Sequence, residues 1–107
     1  TGEAWEAVKA YTVEKKTDAV AYGMKIVGET DARIKDLEAQ AAKASGETKA
    51  AHEKNLQELK AKREQAAAKL DEMGKATAAA WDTTKQGFAD AYKDLRQAYD
   101  RAADKFK

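Results

Sequence analysis

Cysteine and proline are both missing from the 107 residues. Without cysteine the chain can form neither a disulfide framework nor a thiolate metal site, and the redox compartment leaves no mark on it. Without proline, nothing forbids long helices. Aromatic residues are sparse at 7%, and alanine supplies much of the 43% hydrophobic fraction. Large apolar side chains are therefore too few to fill a round core, whereas long helices that bury a narrow stripe need fewer. No apolar run approaches the ~20 residues that span a membrane as a helix. Neither sign of charge dominates: 20 Lys and Arg face 19 Asp and Glu, interleaved along the chain, for a net charge of +1. A nucleic-acid binder shows a basic stripe or a basic excess, so no nucleic-acid partner is expected.

What is present reads as helix throughout. Alanine, lysine, glutamate and aspartate dominate, as in long helices and coiled coils. Glu29 with Arg33, Asp31 with Lys35, Glu58 with Lys62 and Asp71 with Lys75 are acid-first pairs one helical turn apart, each worth ~0.2–0.5 kcal/mol. The strongest punctuation is Ala44-Ser45-Gly46-Glu47-Thr48, where Gly46 can take the left-handed conformation that stops one helix and Ser45 or Thr48 can cap the next. Before it, Val20, Val27, Ile34 and Ala41 recur in heptad register, with Thr30, Leu37 and Ala44 interleaved, which is an a/d seam. Nearer the amino end Trp5, Val8, Val13 and Tyr22 leave that register, and Gly23 and Gly28 mark a place for a bend.

After the turn, His52, Leu56, Leu59, Arg63, Ala66, Leu70, Met73 and Thr77 form the facing seam. The register then slips to Trp81, with Thr84, Phe88, Ala91, Leu95 and Ala98 resuming it, a stutter that unwinds a supercoil locally. Gly74, at the slip, makes a kink possible there. The expected fold is all-α: one long antiparallel helical hairpin in a single domain, with helix 1 over about 3–44, a turn at 45–47 and helix 2 over about 48–106, kinked near Gly28 and Gly74. Pairing about the turn brings Leu37 to Leu56, Ile34 to Leu59, Val27 to Arg63–Ala66 and Trp5 to Phe88. Helix 2 then overhangs. Its carboxyl end carries a wide stripe, Trp81, Phe88, Tyr92, Leu95, Tyr99 and Phe106, which this architecture leaves as an exposed interaction face too apolar for a monomer. A homodimer, closing a four-helix assembly, is the expected remedy.

Chemistry finds little to hold. His52 is the lone histidine, with no second His or Cys one turn away to complete a helical metal site, so it reads as a polar residue at the seam edge. The carboxylates are scattered on separate helical faces, with no nucleophile, base and orienting group that could converge, and no glycine-rich phosphate loop occurs. No catalytic, cofactor-binding or metal residue is assigned and no enzyme activity is expected. Arg63, at a seam position, either fixes register as a buried charge or lays its stem along the seam and reaches an edge carboxylate. The aromatic stripe is either bundle core or the apolar side of a membrane-surface helix. Its polar flanks carry as many Asp as Lys or Arg, which favours the core and makes any membrane contact weak.

The run Glu58-Leu59-Lys60-Ala61-Lys62-Arg63-Glu64-Gln65, then Ala67-Ala68-Lys69-Leu70-Asp71-Glu72-Met73, Ala80-Trp81-Asp82, Lys85-Gln86-Gly87-Phe88 and Ala98-Tyr99-Asp100-Arg101-Ala102-Ala103-Asp104-Lys105-Phe106, resembles a family of small coiled-coil stress-response proteins of cyanobacteria and proteobacteria. The likeness covers residues 56–106 and, more loosely, 31–42. It implies a stress-response role exerted through a protein partner rather than catalysis, and assigns no site. An alternative class is a late-embryogenesis-like or apolipoprotein-like desiccation protectant that becomes helical on membranes. The first residues, Thr1-Gly2, carry no initiator methionine, and removal of a leader would fit an exported parent, which tilts the expected compartment from cytoplasm towards periplasm.

Overall fold

The computed structural model describes residues 4–106, and every regular element among them is helical. In chain order these are α1 (Ala4–Lys9), a short 3-10 turn (Val13–Lys15), α2 (Lys16–Ala42), α3 (Gly46–Lys75) and α4 (Trp81–Lys105). α3 packs on both α2 and α4, and α1 lies mainly on α4. The result is an elongated body of 51 × 26 × 16 Å.

The first reversal falls where expected, with Gly46 left-handed, but Gly46 opens the second helix and does not stop the first, and the Ser45 side chain makes no capping hydrogen bond. α2 stops at Ala42, Ser45 is extended (φ −138°, ψ 163°), and Gly46 begins α3 at φ +63°, a left-handed conformation that glycine adopts without strain. The α2 and α3 helices run antiparallel away from this corner, in a register marked by Glu38 to Lys60 at 3.5 Å and Asp31 to Arg63 at 2.9 Å. Ile34, Leu37, Leu56 and Leu59 are all buried along this contact.

The helix expected over 48–106 is in fact two. α3 ends at Lys75, Ala76 turns extended (φ −67°, ψ 140°), and a turn over 78–80 leads into α4. Thr77 organises that turn, because its Oγ1 and its carbonyl oxygen both accept the Ala80 N–H, at 3.3 and 3.1 Å. The segment Ala76-Thr77-Ala78-Ala79-Ala80 has ample helix propensity, and tertiary packing overrides it. A straight helix would hold the aromatic stripe out in water, whereas the reversal lays it against α2 and α3. Burying the Phe88 and Leu95 side chains contributes about 1.5–3 kcal/mol each, which already matches the roughly four backbone hydrogen bonds of one broken turn at about 1 kcal/mol apiece, and the burial of Trp81 and Tyr92 adds to it.

The helix expected over 3–44 is also divided, though not at its glycines. The break lies at 10–12, with Thr12 extended (φ −91°, ψ 170°), while α2 runs continuously through Gly23 and Gly28. The expected start near residue 3 lies outside the described residues. Trp5 packs on Tyr92, with ring centroids 6.5 Å apart, one turn from the Phe88 neighbour that the hairpin register implied. Lysines bind the end of the bundle opposite the first reversal: Lys16 Nζ donates to the Ala76 carbonyl at 3.1 Å, while Lys85 Nζ and Trp81 Nε1 both donate to the Tyr11 carbonyl, at 2.9 and 3.1 Å. Cations so placed satisfy carbonyls that helix ends leave without intrahelical partners.

Gly23 of α2 faces Leu70 of α3 and Phe88 of α4. A Cβ there would stand 2.5 Å from Leu70 Cδ1 and 3.2 Å from Phe88 Cζ. Leu70 is half-buried and can rotate outward, but the Phe88 ring is fully enclosed. Gly23→Ala is therefore expected to lose about 1–3 kcal/mol to overpacking against about 1 kcal/mol gained in helix propensity. The net loss, about 1 kcal/mol, should appear as a lower denaturant midpoint with an unchanged slope; a gain would show that the ring yields freely.

Candidate interaction surface

The side chains expected to form an exposed interaction face are mostly inside the molecule. Trp81 is 2% exposed, Tyr92 is 1%, and Phe88 and Leu95 are completely buried, while Tyr99 and Phe106 are half-buried at the core's edge. They line one face of α4 as the spacing implied, but that face is turned onto α2, α3 and α1 of the same chain. The apolar overhang on which a dimer was expected is therefore absent from the described residues. Residues that the sequence reading left out of its seam complete the enclosure. Val8 of α1 is fully buried, and Trp5 covers Tyr92.

One polar chain crosses this core. Arg96 Nη1 donates to the Tyr92 hydroxyl at 3.2 Å, the Tyr92 and Thr30 hydroxyls are 3.1 Å apart, and Thr30 Oγ1 donates to the Ile26 carbonyl at 3.0 Å. Since Thr30 spends its proton on Ile26, Tyr92 is the donor between the two hydroxyls, and it also points at the Ile26 carbonyl, 3.4 Å away. This fixes the rotation of α4 against α2, because buried hydroxyls without partners are costly. It also explains why Thr30, the weak member of the heptad, is 1% exposed.

Arg63 resolves into the second of its two sequence readings. Its stem is half-buried, its Nε and Nη2 donate to the two carboxylate oxygens of Asp31, each at 2.9 Å, and Nη1 donates to Glu64 at 2.8 Å. The hydrogen bonds to Asp31 hold the guanidinium pKa above its already high ordinary value, outweighing the opposing effect of burial. Of the four acid-first pairs, Asp71–Lys75 forms at 3.0 Å, while Asp31 is drawn across to α3 instead of to Lys35. His52 stacks flat on Phe106, with ring centroids 3.8 Å apart, and so pins the end of α4 to the start of α3. Among the described residues no three His, Asp or Glu side chains gather where they could hold a metal ion, and no helix is long and apolar enough to cross a membrane.

What the surface offers is shallow. A groove of about 440 Å³ between α2 and α3 is lined by Val20, Met24, Ala67, Leu70 and Gly74. A second trough runs between α3 and α4 over Ala68, Thr84, Gly87 and Ala91, with Lys69 and Glu72 along it. Met24, 63% exposed, is the large hydrophobic side chain left in water among the described residues. Neither Met24 nor Gly28 was singled out as a site residue from sequence, since Met24 falls outside the heptad seam and Gly28 read as a bend.

Two substitutions test the polar chain. Thr30→Val leaves the Tyr92 hydroxyl with Ile26 and Arg96 and is expected to change stability by under about 1 kcal/mol, whereas Tyr92→Phe removes the hydroxyl through which α4 meets both Thr30 and Ile26, for about 1–3 kcal/mol. Equal losses in chemical denaturation would mean that the chain is not organised through the phenol. The second test is alkaline. Burial, then the nearby Tyr11, Tyr92 and Glu29, raise the Tyr22 phenol above its ordinary value of 10.0. The folded state thus holds this proton more tightly than the unfolded chain does. The associated stability is complete below pH ~10 and is lost as pH rises through the folded value. Tyr22→Phe should flatten the stability profile above that pH, read as denaturant midpoints against pH; an unaltered profile would count against it.

Compared with known proteins, the chain matches no family model, no curated protein and no solved structure.

Proposed function

We propose that this chain is a non-catalytic helical interaction protein of the bacterial stress-response type, working as a homodimer. Its α2–α3 arm would serve as an antiparallel coiled-coil hairpin braced by α4, and two copies side by side would set four long helices together. The observation that carries the reading is the division of side chains. The aromatic rings are spent on the internal core, and the titratable groups lie on the outer faces of separate helices. Groups spread in this way do not converge on one reacting atom. Shallow grooves floored by small residues suit a neighbouring helix better than a small substrate, which is held in a concave pocket. Near-neutral charge supports a protein partner over nucleic acid or anionic lipid. The likeness of residues 56–106 to the stress-response family supports the label.

The desiccation-protectant alternative places the α4 aromatic stripe on lipid, for which the bundle would have to open. Circular dichroism at low micromolar concentration in plain buffer is expected to give a helical spectrum and one cooperative melt, with no gain in helix on adding anionic phospholipid vesicles. Light scattering at tens of micromolar should give twice the 11.7 kDa chain mass. A coil spectrum that turns helical only with lipid would overturn this reading in favour of the protectant.

A further inference from the structure

The outer face of α2 carries a stripe that its own fold does not use. Thr17, Ala21, Met24, Gly28, Ala32 and Lys35 recur there at helical spacing and are all exposed, on the side away from Ile26, Thr30, Ile34 and Leu37. Two features of this stripe are out of place on a free surface. Met24, 63% exposed, stands at the rim of the open α2–α3 groove, where its own chain does not cover it. Gly28 sits inside a helix, where glycine is among the poorest residues, yet nothing lies within 4 Å of the position its Cβ would occupy. No neighbour in the chain requires a glycine at that point. Close approach of a helix from outside would.

Resting on the reading of the chain as a self-pairing interaction protein, we infer that the outer face of α2 is the contact between two copies, with their α2 helices antiparallel and Met24 of each lying over Gly28 of the other. A two-fold axis at the level of residue 26, on the outer face, produces this arrangement. In that register Thr17 falls opposite Lys35 of the second copy and Ala21 within one residue of Ala32, so that small residues face small ones and each methionine meets the space a glycine leaves. The charges agree. Asp18 comes within one residue of the level of Arg33 of the second copy, and both are exposed. A patch that satisfies itself under a two-fold is the signature of an isologous contact. A membrane would not match it, because acids and bases are balanced along the stripe's flank. Overlap from residue 17 to 35 spans about 30 Å at 1.5 Å per residue. With the groove alongside, the face is about 20 Å wide, which gives roughly 600 Å² per copy, the lower end of specific interfaces.

The experiment uses opposite signs. Gly28→Ala is expected to raise the melting temperature of the dilute chain, because alanine favours the helix and meets nothing inside the fold, while weakening self-association at least about tenfold in analytical ultracentrifugation. Met24→Lys should weaken it similarly with an unchanged circular dichroism spectrum. Because the chain has no cysteine, introduced thiols report alone: a Met24→Cys chain mixed with a Gly28→Cys chain should form a mixed disulfide dimer on mild oxidation, and Asp90→Cys on the α3–α4 side should not. A dimer that survives both substitutions, or that is trapped through Asp90→Cys and not through the α2 pair, overturns this surface and leaves self-pairing standing. An unaltered chain that stays at 11.7 kDa up to hundreds of micromolar overturns the surface and the self-pairing together.

Discussion

The whole arrangement depends on the enclosure of the α4 aromatic stripe by the rest of the chain. Trp81, Phe88, Tyr92 and Leu95 are the heaviest apolar groups that the composition supplies to one helix face, and each is almost completely removed from water. The reversal at 76–80 and the docking of α1 over Tyr92 follow from that burial. A run of alanines gives up helical continuity, and a six-residue helix too short to hold itself together in isolation is kept in place by Trp5 and Val8. Close packing at this level is eased by Gly23 of α2, whose missing side chain leaves room for Phe88 and Leu70.

Hydrophobic burial is not directional, and it would tolerate sliding or rotation of one smooth helix on another. Polar contacts remove that freedom at several levels along the bundle. The Tyr92–Thr30–Ile26 chain sets α4 against α2, and the fork of Arg63 on Asp31 sets α3 against α2. At the end opposite the first reversal, Lys16 ties the start of α2 to the end of α3, and Lys85 with Trp81 ties the start of α4 to the α1 junction. These contacts are charged or hydrogen-bonded side chains meeting backbone or each other across different elements, so each is informative about register in a way that a leucine pair is not.

Much of the local pattern was legible in the residues. The heptad positions Val27, Ile34, Leu37, Leu56, Leu59, Ala66 and Met73 are buried where the seam placed them, and Gly46 begins α3 in the left-handed conformation expected of it. The stripe from Trp81 to Leu95 was also correctly read as one apolar face. Its destination was not, since nothing in a periodic pattern says whether an apolar face waits for another chain or folds back on its own. The break in the first helix was misplaced for a related reason. Propensity pointed at Gly28 and Gly74; α2 passes through Gly28 and the chain turns instead at Thr12, while α3 ends one residue beyond Gly74 in a full reversal over Ala76–Ala80. Those turns are decided by which long-range burial they make possible, and no local residue type records that.

Once the aromatic stripe is internal, the question of function moves to what remains outside, and here the surface is uneven in an instructive way. Most exposed positions are charged or alanine, which helices tolerate without a partner. Met24 and Gly28 are neither. Each is a local loss, an apolar side chain left in water and a flexible residue inside a helix, and neither loss is compensated within the fold, unlike Gly23, whose missing side chain makes room for Phe88. Local choices that disagree with a sequence's own fold tend to mark the places where it serves something beyond folding. That two such choices lie one turn apart, on the same side of one helix, with opposite shapes and flanks of alternating charge, is what a surface built to meet its own copy would look like, and an aromatic core closed within a single chain leaves that surface free to do so.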